Sequence, residues 1–152
     1  MITVDLGDAP ISLAEFLDDA SAPSHGAQTI FTGRVRNHNM GKKVRGVSYD
    51  AFFPLTKTTL EQIAVEAQTK WGPDIHIRIA HRFGRLDIGD LSVAILVSSR
   101  HRDESFSAAR YIIEELKTRA AIWKREHYED GDSKWLQGHA LCGHHHEPDQ
   151  TL

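Results

Sequence analysis

The stretch Leu116-Lys117-Thr118-Arg119-Ala120-Ala121-Ile122-Trp123-Lys124-Arg125-Glu126 closes a predicted helix, crosses a short turn and enters a predicted strand. It carries four cations in the nine positions 117–125, yet Leu116, Ile122 and Trp123 are threaded through it. A solvated charge run rarely holds a Trp and two aliphatics. Lys117 and Lys124 are therefore expected to point into a half-buried anion-binding pocket and to do chemistry there.

The helix before the turn supports this. From Asp103, the expected N-cap, the apolar positions Phe106, Ala109, Ile113 and Leu116 recur at three- and four-residue steps. Lys117 follows Ile113 by four residues, so it shares the edge of that stripe. A lysine so placed ordinarily lays its methylenes on apolar surface and snorkels its ammonium into water. Lys124 behind Trp123, and basic residues at the neighbouring strand ends, weigh for a pocket instead.

Forty per cent hydrophobic and 26% charged residues describe an ordinary globular chain, and 152 residues suffice for one domain with a core. A formal charge of -3 and a pI near 6.3 exclude a general nucleic-acid binder, which needs a basic excess. The cations cluster instead around 34–45, 100–102 and 117–125, a pattern that suits a small anionic ligand. One cysteine, Cys142, rules out an internal disulfide. The start lacks the basic and apolar regions of a signal peptide, and no apolar run approaches the ~18 residues of a membrane span. A cytoplasmic location is expected.

Outward from the key stretch, Leu91 to Val97 is almost wholly apolar and reads as a strand covered on both faces. It emerges as Ser98-Ser99-Arg100-His101-Arg102 just before the helix, where backbone N–H groups and a positive dipole end collect. Ile75-His76-Ile77-Arg78-Ile79 alternates as a half-buried strand, and Leu86 to Asp90 reads as a turn. Leu55 to Trp71, after Pro54, is a scaffold helix closed by Gly72-Pro73. Ala27 to Val35 and Val44 to Phe53 read as two strands of one hairpin, its long basic tip carrying Arg36 at the base. Near the start, Ile2 to Val4 is a short strand, and Ser12 with Glu15 forms a capping box for a short helix. His127 to Lys134 is a turn, followed by a short strand at Trp135-Leu136. One domain is expected over 1–137, then a polar, His-rich, disordered tail over 138–152. That tail holds Cys142, His144, His145 and His146, but not the spaced ligand pairs of a structural zinc site.

Several segments together resemble the large, catalytic subunit of molybdopterin synthase. They are Phe31-Thr32-Gly33-Arg34-Val35-Arg36-Asn37-His38-Asn39, Val47-Ser48-Tyr49-Asp50-Ala51-Phe52, His81-Arg82-Phe83-Gly84-Arg85-Leu86-Asp87-Ile88-Gly89, Val97-Ser98-Ser99-Arg100-His101-Arg102, and the key stretch itself. They run in order from about Ala27 to Trp135. The resemblance implies an α+β fold of the α/β-hammerhead type with an additional small antiparallel β subdomain. It implies a homodimer, each copy binding a small ubiquitin-like sulfur carrier whose C-terminal Gly-Gly thiocarboxylate enters the pocket. It implies sulfur transfer to cyclic pyranopterin monophosphate, forming the dithiolene of molybdopterin, with no metal or other cofactor.

Carried residue by residue, the resemblance makes Lys117 the main catalytic lysine and Lys124 the second, both also touching substrate. Arg36, His101 and Arg102 bind phosphate and pterin, and Glu126 orients Lys124. Ala121 stands where the family usually has proline, and Phe52-Phe53-Pro54-Leu55-Thr56 replaces the more usual Tyr-x-x-Met-Ala. The competing class is a non-catalytic nucleotide- or RNA-binding module built on the basic hairpin 34–45. It needs aromatics interleaved with its cations, and only Phe31 and Tyr49 are at hand.

Overall fold

The computed structural model describes residues 1–18 and 21–137. Cys142 and the histidines of the tail lie outside the described residues. The elements are β1 (Ile2–Gly7), α1 (Leu13–Asp18), β2 (Ala27–Arg34), β3 (His38–Asn39), β4 (Lys42–Ala51), α2 (Phe53–Trp71), β5 (His76–Arg82), β6 (Gly84–Asp87), β7 (Leu91–Ser99), α3 (Arg102–Arg119), β8 (Ile122–Tyr128), β9 (Gly131–Asp132) and β10 (Leu136–Gln137). Two sheets and three helices give the α+β class that the sequence implied, with the second sheet as the added β unit. Among the described residues no helix is long and apolar enough to cross a membrane.

The first sheet has the order β1-β5-β7-β2. β1 pairs with β5 in parallel, and the other two pairings are antiparallel. β7 is apolar throughout because both its faces are covered. Val93, Ile95 and Val97 pack against Leu60, Ile63, Ala64 and Ala67 of α2 and Ala108, Ile112 and Leu116 of α3. Ala94 and Leu96 face the other way, with Ala80, onto Phe16 of α1. α1 begins as expected, with Ser12 Oγ accepting from the Glu15 N–H at 3.5 Å.

The phase of α3 differs from the sequence expectation by one residue. The buried stripe is Ser105, Ala108, Ala109, Ile112 and Leu116, whereas Phe106 is 63% exposed and Ile113 only flanks the core. Small residues at 105, 108 and 109 let the helix lie close to the sheet. Ser105 Oγ sits 3.0 Å from the Val97 carbonyl and 2.6 Å from Thr29 Oγ1. With one hydrogen, it donates to the carbonyl and accepts from the threonine. The helix also starts earlier: His101 is the N-cap by backbone geometry, without a side-chain cap, and Asp103 and Glu104 occupy the first turn. There their charges complement the helix dipole. α2 likewise begins at Phe53, ahead of Pro54.

The second sheet has the order β10-β8-β4-β3, with β6 also on β4 and β9 on β8. This corrects the expected hairpin: β2 pairs with β7 in the first sheet, so β2 and β4 lie in different sheets. The hairpin is the smaller one of β3 and β4, closed by Met40 and Gly41, both at positive φ (50° and 76°). Two consecutive residues at positive φ are what a two-residue hairpin turn of the right twist requires. Leu86 and Asp87, expected in a turn, belong to β6, and the turn proper is Ile88-Gly89. Residues expected as a turn after His127 hold the end of β8 and all of β9. The chain crosses from first sheet to second at Phe83, between β5 and β6.

β4 is the spine of the second sheet, and its Gly46 stands at a register shift against β8. A Cβ there would sit 2.7 Å from the Leu86 carbonyl oxygen and 2.9 Å from Arg85 Nε. Backbone on β6 cannot yield as a flexible side chain does. Gly46→Ala is expected to lower stability by about 1–3 kcal/mol, read as a shift in the urea midpoint at unchanged slope.

Candidate active site

Two backbone devices aim cations into one cavity between the sheets. The first is the end of α3. Leu116 is 1% exposed and Ile122 fully buried, so both ends of the turn are anchored in the core. The cap is closed by Ala120 N–H to the Leu116 carbonyl at 3.1 Å, and Thr56 Oγ1 donates to the Ala121 carbonyl at 3.2 Å. Ala120 has φ -71° and ψ 134°, the extended geometry demanded of a residue before proline, although Ala121 is not proline. Past the turn, the period-two alternation of β8 puts Ile122, Lys124 and Glu126 on one face. The second device is the irregularity after Gly33 in β2. There Val35 leaves the sheet, is buried, and bonds to the 89–90 turn through Val35 N–H to Asp90 O (3.0 Å) and Gly89 N–H to Val35 O (2.8 Å). Arg36 follows this anchor.

The resulting cavity holds about 200 Å³ and is lined by Phe31, Gly33, Arg34, Arg36, Tyr49, Lys117, Lys124 and Glu126, among others. Four cations face one carboxylate. A larger cleft of about 550 Å³, lined by Tyr49, Phe53, Phe83, Arg85 and Trp135 among others, contains none of the expected catalytic or substrate-binding residues. Lys124 Nζ lies 2.8 Å from Glu126 Oε1, with side chains 16% and 4% exposed. A charge-assisted bond in so dry a place fixes the ammonium. Opposite Lys124 across the ladder stands Tyr49. Burial pushes its hydroxyl up to about 12, with a hydrogen bond from Ser92 acting the other way, so the phenol is neutral.

Beneath Tyr49 lies His81, 4% exposed, its ring 5.0 Å from the tyrosine ring in edge contact. Burial lowers its pKa from 6.5 to about 4; the charge of Lys117 acts in the same direction, and the bond to the Arg82 carbonyl opposes it. Thus Arg36, Lys117, Lys124 and Glu126 meet, as expected. His101 and Arg102 do not meet them within one copy of the chain. They sit exposed at the opposite end of α3, about 22 Å of helix rise from Lys117. Sequence reasoning assigned no role to Tyr49 or His81. Tyr49 stood only in a quoted segment and among the aromatics of the competing class; His81 carried no signal beyond its place in a quoted segment.

The basic hairpin offers little to a polymer. Lys42 pairs with Asp130 at 3.5 Å and stands 5.3 Å from the centroid of the Tyr128 ring. Fold and site together define a small α+β enzyme with a lysine-lined, cation-rich pocket at the junction of two sheets. The chain belongs to the MoaE protein family, whose sequence model matches residues 6–119. A molybdopterin synthase catalytic subunit from Synechococcus elongatus is 45% identical over 139 residues, covering 91% of this chain and 84% of the relative. The one from Staphylococcus aureus (strain Mu50) is 41% identical over 130 residues, 86% of each chain. A crystal structure of molybdopterin synthase from Staphylococcus aureus superposes with a TM-score of 0.82 at 37% identity, over 87% of this chain and 95% of that one.

Removing one member of the buried ion pair leaves the other charge stranded. Lys124→Ala is expected to cost about 3–5 kcal/mol of stability through the unpaired Glu126. The double change Lys124→Ala with Glu126→Ala recovers most of it, as a double-mutant cycle in urea will report. His81 gives a second expectation. The unfolded chain protonates this histidine near 6.5 and the folded chain only near about 4. The stability it contributes is present above pH 6.5 and is lost as pH falls toward 4, by about 3 kcal/mol. Urea unfolding at pH 7 and pH 4 measures the slope, and His81→Leu flattens it by that amount.

Proposed function

We propose that this chain is the catalytic subunit of a molybdopterin synthase, working in the cytoplasm with residues 1–137 as its catalytic unit. It takes sulfur from the C-terminal Gly-Gly thiocarboxylate of a small ubiquitin-like carrier and adds it, in two rounds, to cyclic pyranopterin monophosphate. The observation that carries this is the convergence of Arg36, Lys117 and Lys124 on one small pocket, with Glu126 holding Lys124. Both reactants are anions, and negative charge develops as the acyl–sulfur bond breaks, which fixed cations stabilise. Each round turns the carrier's thiocarboxylate into a carboxylate: an oxygen from water replaces the sulfur on the carrier, and the sulfur takes the place of an oxygen on a substrate carbon, that oxygen leaving as water or staying with the phosphate. Lys117 supplies the reactive amine. Lys124 contacts substrate from the other sheet, and Arg36 holds the phosphate.

His101 and Arg102 enter this scheme through a second copy. β2 is the edge of the first sheet, and its Ile30 and Phe31 are 38% and 37% exposed. Its Gly33 end borders the pocket, while Ala27 lies beside Ser99, next to the start of α3. Those ends are about 20 Å apart along the strand, close to the axial span of α3 between Arg102 and Lys117. A two-fold axis pairing the two β2 edges antiparallel lays the Arg102 end of one copy against the pocket of the other. The homodimer then completes two identical sites, each receiving one carrier, for a 2:2 assembly.

The test is to mix the purified chain with thiocarboxylated carrier and cyclic pyranopterin monophosphate and to assay dithiolene product. Lys117→Ala is expected to fold and bind carrier while turnover nearly vanishes. Arg36→Ala removes a charge-assisted phosphate contact of about 1.5–3 kcal/mol, seen as a raised KM that high substrate partly overcomes. Co-expressed Lys117→Ala and Arg102→Ala chains are expected to regain activity in mixed dimers, since one of the two pockets is then intact. Light scattering showing a monomer both alone and with carrier, or no regain in mixed dimers, contradicts the shared site.

A further inference from the structure

The outer face of the second sheet carries a hydrogen-bonded chain that the chemistry described so far does not use. Along β4, Val47 and Tyr49 line the lysine pocket, so Ser48 between them points to the other face. Its rung partners are Arg125 on β8 and Arg85 on β6. His127 stands one same-face rung further along β8, opposite Gly46 and diagonal to Ser48. Gly46 has no side chain to block the imidazole, and His127 Nε2 lies 2.6 Å from Ser48 Oγ. On the far side, the tight turn from β8 to β9 sets Asp132 opposite His127, with Nδ1 2.8 Å from Asp132 Oδ1. The bond from His127, opposed by desolvation and aided by the charges of Arg125 and Arg85, holds the Asp132 carboxyl below its usual range. A carboxylate only accepts, so Nδ1 of the neutral ring carries the hydrogen and Nε2 accepts from the Ser48 hydroxyl. That is the order of a nucleophile, its base and the group that orients the base.

The surroundings supply the rest of such a site. Ser48 lines the cleft of about 550 Å³, whose walls include Leu6, Phe53, Phe83 and Trp135. Arg125 lays its guanidinium 4.8 Å from the centre of the Trp135 ring, and its buried Nε has no acceptor among the described residues. A buried donor left over on the rung beside Ser48 is what a developing oxyanion needs. We propose that this face is a second catalytic site, hydrolysing small carboxylic esters whose apolar or aromatic part lies in the cleft, with Ser48 as nucleophile, His127 as base and Asp132 positioning the imidazole. Ser48 Oγ adds to the ester carbonyl carbon as its hydrogen passes to Nε2, and the carbonyl electron pair moves onto oxygen beside Arg125. The adduct collapses, and the departing alkoxide takes the proton from Nε2 and leaves as the alcohol. Water then gives a proton to Nε2 and adds to the acyl carbon; the acid leaves, and the proton returns to Ser48. None of the three residues lines the lysine pocket, so the site does not depend on the sulfur-transfer reading.

The experiment uses the full chain with neither carrier nor pterin present. It is treated with a fluorophosphonate, the modified residue is located by peptide mass spectrometry, and hydrolysis of para-nitrophenyl acetate is followed in parallel. The label is expected on Ser48, and Ser48→Ala and His127→Gln are each expected to lower ester turnover by at least about a hundredfold. Asp132→Asn is expected to lower kcat about tenfold or more with KM nearly unchanged, and Asp132→Glu to recover part of that loss. A tie that merely fastened β9 to the sheet would leave Ser48 unlabelled and the ester untouched. An unlabelled Ser48 in the unsubstituted chain therefore overturns the proposal, and this reading needs no variant to fold. Acetyl groups found on lysines, with turnover unchanged in a folded Ser48→Ala chain, overturn it as well, and so does an Asp132→Asn chain that matches the unsubstituted one. Given carrier and cyclic pyranopterin monophosphate, Ser48→Ala is expected to form dithiolene at the full rate. Loss of both activities together in that folded variant overturns the assignment of a separate site.

Discussion

Two fully buried side chains six residues apart, Leu116 and Ile122, impose the constraint on which the pocket depends. Between them the backbone must leave a helix, reverse and join a strand, and it has five residues in which to do so. Ala120 closes the helix by its own N–H, and the first turn of α2 reaches across through Thr56 to hold the Ala121 carbonyl. With both anchors fixed, Lys117 emerges one residue after the first and Lys124 two residues after the second. Neither lysine is placed by its own packing. Each is placed by the hydrophobic neighbour whose burial stabilises the fold.

The same economy governs the electrostatics. An ammonium and a carboxylate taken out of water together gain little net stability, because desolvation offsets most of their attraction. Lys124 and Glu126 therefore contribute specificity more than stability: the carboxylate fixes one ammonium, leaving Arg34, Arg36 and Lys117 to define the positive character of the cavity. Two buried titratable groups close to it, Tyr49 and His81, are held neutral. Burial keeps the Tyr49 phenol protonated and the His81 imidazole unprotonated across the range in which most enzymes work. The field in the pocket is thus set by a few fixed charges beside dry, uncharged neighbours.

Much of this was legible in the sequence, for identifiable reasons. β7 announced itself because a strand covered on both faces has no polar alternation. The key stretch was legible because Leu, Ile and Trp do not belong in a solvated charge run. The phase of α3 was misread because its buried stripe opens on Ser105, whose hydroxyl is satisfied by the Val97 carbonyl and Thr29, while exposed Phe106 mimics a core position. The apparent hairpin of β2 and β4 failed because adjacency in sequence does not fix pairing, and the irregularity after Gly33 sends the chain out of one sheet and into the next. Arg36, Lys117, Lys124 and Glu126 were found together. His101 and Arg102 were not, because an α-helix separates in space what a list of basic residues sets side by side.

Lys117 rides on a helix packed against the first sheet, whereas Lys124 is a rung of the second. The pocket is therefore a seam, and no single sheet owns it. The distance between the two amines is a caliper reading of the angle between the sheets, whose covalent joints include Phe83 and the Ala120-Ala121 turn. A substitution far from any reactant that tilts one sheet against the other will open or close that caliper, and the two lysines will register it before any other part of the molecule does.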